Sequence, residues 1–228
     1  MGPYAHGYLR AMGLQVILTG ATGYVGEGVL LECLEHPAVD HVLVVGRKST
    51  GRQHPKLKEL LVPDFFALEA KTDQLRGYDG CFYCAGVSSV GRNEVDFTRL
   101  TYDTTIAFAR AVLAASPQAT FTYVSGSGTD SSEKGRLMWA RVKGRTENEL
   151  GRMGFKAAYS FRPGIMTLTP GMRNPAWWMR VLVQVFAVLM PGVTCRMQDV
   201  GRAMINCVLK GYDKAILEVK DIKALARA

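Results

Sequence analysis

The chain offers little for metal or disulfide chemistry. Its four histidines (His6, His36, His41 and His54) show no paired ligand spacing, so no metal site is expected. Its five cysteines (Cys33, Cys81, Cys84, Cys195 and Cys207) are odd in number and follow no framework. That argues against a disulfide scaffold and for a reducing compartment, read as the cytoplasm. Cys81 and Cys84 have the spacing of a redox pair. They lie in an apolar run of strand character, where residues three apart point to opposite faces, so buried free thiols are expected. No run of five basic residues occurs, although 28 basic and 20 acidic residues give a net charge of +8. Such a balance favours anionic partners. Most of the scattered cations (Arg47-Lys48, Arg52, Lys56, Lys58, Arg136, Arg141, Lys143, Arg145) read as solvated faces rather than as a nucleic-acid footprint.

Long apolar runs are missing as well. The first eleven residues lack the apolar core of a signal peptide and read as an extension without structure, ahead of a natural start at Met12. The longest apolar stretch, 176–190, is short for a bilayer and contains Arg180 and Gln184, so no membrane span is expected. It reads as an amphipathic helix with Trp177, Arg180 and Gln184 near one face and Trp178, Val181, Leu182 and Val185 on another. Such a helix would cover a site or meet a partner, with weak attachment to a membrane surface as the lesser option. No repeat, low-complexity tract or linker divides the chain. One domain over residues 12–228 is expected, with 163–228 as a small lid or substrate region.

What is present is an alternation of strand and helix patterns. Strands are expected at 14–19, 41–45, 60–63, 80–84, 120–125 and 157–161. Helices are expected at 24–35, 94–115 and 137–153, with a short helical turn near 71–76. Alternation of this kind implies an α/β fold, a doubly wound parallel sheet with helices on both faces. Beyond Pro163, residues 164–174 read as loop, 199–209 as helix, 216–219 as a short strand and 221–226 as a terminal helix. Ligands of such sheets lie beyond the carboxyl ends of the strands, at the switch point.

The most informative stretch sits at the first of those ends: Val16-Ile17-Leu18-Thr19-Gly20-Ala21-Thr22-Gly23-Tyr24-Val25-Gly26. Gly20 allows a tight turn, Gly23 lets the backbone approach a pyrophosphate, and Gly26 lets the helix pack closely on the sheet. A pyrophosphate is therefore expected against Gly20, Thr22, Gly23, Tyr24, Val25 and Gly26. The second strand is followed by Arg47 where a ribose-binding carboxylate would otherwise stand. A guanidinium suits a 2′-phosphate, so NADP is expected in preference to NAD. The fourth strand ends in Ala85 and Gly86, small enough to let a cofactor lie close. The fifth ends Val124-Ser125-Gly126-Ser127-Gly128, and the sixth leads into Arg162-Pro163-Gly164. A helix carrying Trp139 and Lys143 lies between them.

The glycine turn, the serines after the fifth strand, Val142-Lys143-Gly144 and Phe161-Arg162-Pro163-Gly164 together resemble the short-chain dehydrogenase/reductase superfamily. The resemblance is closest to its atypical, epimerase-like branch related to the Tat-interacting protein, and it spans about residues 14–226. It implies a Rossmann fold, an NAD(P) cofactor and an oxidoreductase moving a hydride to or from a small carbonyl or alcohol. It also implies that Lys143 holds the nicotinamide ribose, that Ser127 or Ser125 orients the substrate, and that Ala85, Gly86, Ser125, Lys143 and Pro163 line the cofactor. Monomer and homodimer both occur among such proteins, the dimer through the helices at 94–115 and 137–153. One departure stands out. The usual tyrosine, four residues before the lysine, is Trp139. Indole is a donor that does not titrate, so it cannot serve as a general acid or base. Tyr102, Tyr123, Tyr159 or a water on Lys143 could supply the proton instead. The alternative is a regulatory protein that senses NADP(H) without turnover. A nucleotide-sugar epimerase is disfavoured by the short chain after Pro163 and by the missing tyrosine.

Overall fold

The computed structural model describes residues 13–173, 190 and 192–228. Seven parallel strands form one sheet in the order β3-β2-β1-β4-β5-β6-β9. They are β1 (Leu14–Thr19), β2 (Val39–Gly46), β3 (Leu57–Leu61), β4 (Gly80–Tyr83), β5 (Thr120–Val124), β6 (Ala157–Arg162) and β9 (Ile216–Glu218). A second, two-stranded parallel sheet joins β7 (Ile165–Thr167) to β8 (Thr194–Arg196). The chain order reverses between β1 and β4, which places a switch point where their carboxyl ends meet.

Strand period divides the apolar residues between two layers. Val16, Leu18, Val42, Val44, Phe82 and Phe161 face one core. They are covered there by α1 (Tyr24–Glu35), α5 (Met197–Lys210) and α6 (Val219–Leu225). Ile17, Leu43, Val45, Tyr83, Phe121 and Tyr123 face the other, under a 3-10 helix (Phe66–Leu75), α3 (Thr104–Ala115) and α4 (Met138–Arg152). Phe65, Phe108 and Phe155 join Tyr83, Phe121 and Tyr123 there in an aromatic cluster with ring centroids 4.8–6.1 Å apart. Cys81 belongs to this second core while Cys84 packs against the first, so the two thiols do lie on opposite faces. All five cysteines are free, and four are buried, with Cys84 half-buried.

Several sequence expectations need correction. The strand expected at 60–63 runs from Leu57 to Leu61, because Leu57–Leu61 is the stretch in register with Val42–Gly46. Lys58 and Glu59 hide it in the sequence, and they are tolerated because β3 is an edge strand. The single helix expected over 94–115 is three pieces: α2 (Glu94–Thr98), a π-helical turn (Arg99–Asp103) and α3. Threonines cause the widening. Thr104 Oγ1 donates to Arg99 O at 2.8 Å and Thr105 Oγ1 to Thr101 O at 2.5 Å, competing with the helix amides for those carbonyls. The loop expected over 164–174 contains β7, whose partner β8 lies far along the chain. Not all of the cations are solvated. Arg52 pairs with Glu27, Arg141 with Glu94, and Arg145 lies 4.1 Å over the Tyr102 ring. The extension at 1–11 and the helix at 176–190, but for Met190, lie outside the described residues.

Candidate functional site

The turn after β1 is built from backbone that tolerates no side chains. Gly20 has φ +71°, and a Cβ there would stand 2.6 Å from the carbonyl of Cys84. The end of β1 thus touches the end of β4, and Thr19 Oγ1 accepts from Ala85 N at 3.1 Å to fix the pair. Gly23 N donates to Gly20 O at 2.8 Å and closes the turn. A Cβ on Gly26 would lie 2.1 Å from the same Gly20 oxygen. The need for glycine at 26 therefore comes from the turn itself rather than from the sheet. Gly23 is the N-cap of α1 and leaves the first amides of the helix without a side-chain cap. Uncapped amides at a helix N-terminus form an anion site. Tyr24 opens that helix, and its hydroxyl donates to Met166 O at 2.8 Å, tying the turn to β7.

Beside the turn, Gly86 is exposed, with nothing within 4 Å of where its Cβ would be. A cofactor would find open space there. Arg47 and Lys48 are exposed after β2. Arg52, further along the same loop, is taken. Its guanidinium bonds to the buried Glu27 and to Gly171 O at 3.0 Å, while Arg173 N donates to Glu27 Oε1 at 3.0 Å. This clasp holds the β2–β3 loop and the turn at 169–173 against α1.

On the far side of β4, α4 brings Trp139 and Lys143 to one face at helical spacing. Lys143 Nζ donates to Ser125 O. Burial pushes its ammonium below the ordinary lysine range, and the Glu147 carboxylate partly offsets that. Ser125 is buried, and its hydroxyl donates to Phe161 O at 3.1 Å. Ser127 is exposed, anchored by its amide to Pro163 O at 3.1 Å. Trp139 is half-buried, and its ring would lie 3.4 Å from a Cβ on Gly128. The indole therefore leans on the Ser127 loop. Of the tyrosines, Tyr123 is buried in the aromatic cluster, and burial raises its phenol far above the ordinary range. Tyr159 exchanges hydrogen bonds with Tyr212 across the first core's edge, and Tyr102 sits under Arg145. The structure gives each of the three a structural partner.

Arg162 and Glu147 are neighbours of the site that no sequence pattern singles out for a role. Arg162 Nε donates to Glu147 Oε1 at 3.0 Å and Nη2 to Glu147 Oε2, with side-chain exposures of 11% and 2%. Arg162 also reaches Glu218 at 3.4 Å and Ser131 Oγ at 2.5 Å. The signal was available, since Glu147 stands one helical turn after Lys143. Among the described residues no cluster of histidine, cysteine or acidic side chains is placed to hold a metal, and no helix is long and apolar enough to cross a membrane.

The model of the NAD dependent epimerase/dehydratase family matches residues 16–135. Protein fmp52, mitochondrial, of Emericella nidulans is 24% identical over 213 residues, 87% of this chain and 88% of that protein. Protein fmp52-1, mitochondrial, of Aspergillus terreus is 27% identical over 166 residues, 70% of each. Their names overturn the cytoplasmic expectation, because each is a mitochondrial protein. Among solved structures, the Bordetella bronchiseptica enzyme WbmF in complex with NADH superposes with a TM-score of 0.68 at 16% identity, covering 94% of this chain and 75% of that one. Glucuronic acid dehydrogenase of Chromohalobacter salexigens gives 0.65 at 16%, covering 91% and 76%. At such identities these structures speak to the fold, which is the doubly wound sheet expected from the sequence.

Proposed function

From the premise that the chain belongs to the NAD dependent epimerase/dehydratase family, we propose that it is an NADP(H)-binding oxidoreductase acting on a small carbonyl or alcohol. The observation that carries this reading is the pairing of two features at the carboxyl ends of one parallel sheet. The uncapped start of α1 lies on one side of β4, and Lys143, held at Ser125 O, lies on the other. The residues present fit a dinucleotide. The turn closes on its own backbone, with no room for a Cβ at Gly20 or Gly26, so its amides stay bare of side chains, and the space over Gly86 is open. Bound there, the cofactor supplies or accepts the hydride.

The chain's own residues do the rest. The amides of Tyr24, Val25 and Gly26 hold the pyrophosphate. Arg47, exposed and without a partner among the described residues, meets the 2′-phosphate. Lys143 holds the nicotinamide ribose. Ser127, not Ser125, faces the substrate, because the Ser125 hydroxyl is committed to Phe161 O. A water held between Lys143 and Ser127 moves the proton that a phenol would move elsewhere, and Trp139 closes that corner. The relatives' names support a mitochondrial location. The second reading, an NADP(H) sensor without turnover, is favoured by Trp139 and by the structural engagement of Tyr123 and Tyr159.

Titration of the full chain with NADPH and NADH tests the nucleotide assignment. Tighter NADPH binding is expected, with Arg47→Ala weakening NADPH about tenfold and leaving NADH alone. Failure of both nucleotides to bind the folded protein overturns the proposal. Turnover over a carbonyl panel that is lost in Lys143→Ala supports the enzyme. Tight binding with no turnover on any substrate supports the sensor.

A further inference from the structure

We propose that Arg162 positions Lys143 by occupying both carboxylate oxygens of Glu147, so that the lysine is left to reach Ser125 O and the ribose beside it. The inference rests on the nucleotide site proposed above and assigns a role to two residues outside it. Glu147 follows Lys143 by four positions on α4, the spacing at which helical side chains of opposite charge pair. They are not paired here. Both Glu147 oxygens face Arg162, one through Nε at 3.0 Å and the other through Nη2. Lys143 turns instead to Ser125 O, at the end of β5.

The arrangement follows from burial. The Glu147 side chain is 2% exposed, so its charge requires a partner, and removing one member of a buried pair leaves a charge that seeks another. Arg162 is fixed in place by more than Glu147. Its Nη1 reaches Glu218 at 3.4 Å, and Ser131 Oγ shares Nη2 with Glu147 at 2.5 Å. Its planar fork matches the carboxylate at two points, which a lysine ammonium does not. Without that fork, the nearest cation on the same helix face is Lys143. Its ammonium would swing one turn down α4 and abandon the ribose. The far ends of a dinucleotide, at the glycine turn and Arg47, would be untouched.

The test compares two ligands on the full chain: NADPH, which carries the nicotinamide ribose, and 2′,5′-ADP, which lacks it. Arg162→Gln is expected to weaken NADPH about tenfold and 2′,5′-ADP not at all. Adding Glu147→Gln should restore most of the loss, because the freed charge is then gone. On a Lys143→Ala background Arg162→Gln should cost nothing further. Equal weakening of both ligands, absence of rescue, or additivity with Lys143→Ala would each show that Arg162 only braces the fold. If Arg162→Gln does not fold, Arg162→Lys carries the same comparison, with a loss of about threefold expected for NADPH alone. Wild-type protein that binds 2′,5′-ADP but not NADPH refutes this role while sparing the anion site. Protein that binds neither refutes the site itself.

Discussion

Gly26→Ala tests the phosphate turn most directly. The added methyl would stand 2.1 Å from Gly20 O, 2.4 Å from Gly20 C and 2.9 Å from Ala21 N, all of them backbone. No side-chain rotation can relieve that overlap. The start of α1 must back away from the turn by at least about 1 Å to reach ordinary contact. Overpacking of this kind costs about 1–3 kcal/mol, and the better helix propensity of alanine returns up to about 1 kcal/mol. A net loss of about 1–2 kcal/mol lowers the melting temperature by about 2–8 °C, so the variant stays folded at room temperature. Binding should suffer more. Displacing the helix start by about 1 Å takes its amides out of hydrogen-bond range, and two charge-assisted bonds are worth about 3–6 kcal/mol together. Calorimetric titration with NADPH should therefore show affinity reduced at least about a hundredfold. A folded Gly26→Ala protein that binds NADPH within twofold of wild type would refute the assignment of the α1 N-terminus as the anion site.

Other outcomes follow from local geometry. Gly151, exposed near the end of α4 with nothing within 4 Å of its Cβ position, needs no glycine, so Gly151→Ala should stabilise by about 0.5–1 kcal/mol in a thermal melt. Burial lowers the Lys143 ammonium. NADPH affinity should accordingly fall as pH rises through a value below the ordinary lysine range, and the fall should be absent in Lys143→Ala. The sign for stability is the reverse. The folded chain releases this proton before the unfolded chain does, so the cost of burying the charge is full at low pH and shrinks as pH rises from the lowered value to the ordinary one. Burial also holds the thiols of Cys195 and Cys207 up to about 12, and raises Cys33, Cys81 and Cys84 as well. Alkylation at pH 8 should find no fast-reacting thiol in native protein and five after unfolding; rapid native labelling would contradict the packing of both cores.

The parts of the fold legible in the sequence are those where local pattern and tertiary demand agree. Leu14–Thr19 and Tyr24–Glu35 have the expected bounds because a strand buried from Val16 to Thr19 and a helix starting at a glycine turn leave few alternatives. Leu57–Leu61 was misplaced because an edge strand needs only one buried face, and Leu60 alone marks it. The β7–β8 pair was invisible for a different reason. Three-residue strands carry no usable period, and their pairing is set by packing against the turn and α5 rather than by local preference.

The site divides along the same line. Its glycines announce themselves because each forbids a Cβ for a reason internal to one short stretch. Side chains that act through others do not, since nothing near Arg162 in sequence says that its Nε and Nη2 will take both oxygens of Glu147. Trp139 lies between these cases. Its position relative to Lys143 was readable, and so was its inability to titrate. Its contact with Gly128 was not, because that glycine looks like a turn residue and has φ +82°. The contact changes what the tryptophan means. Gly128 serves both the left-handed backbone and the indole's approach, so the loop bearing Ser127 and the residue replacing the tyrosine fit one another. Installing a phenol with Trp139→Tyr would remove part of that contact surface while adding a proton donor. Activity gained by that change would show that the fold is built for proton transfer and lacks only the group. Activity lost would show that the indole shapes the substrate corner, as the water-mediated mechanism requires.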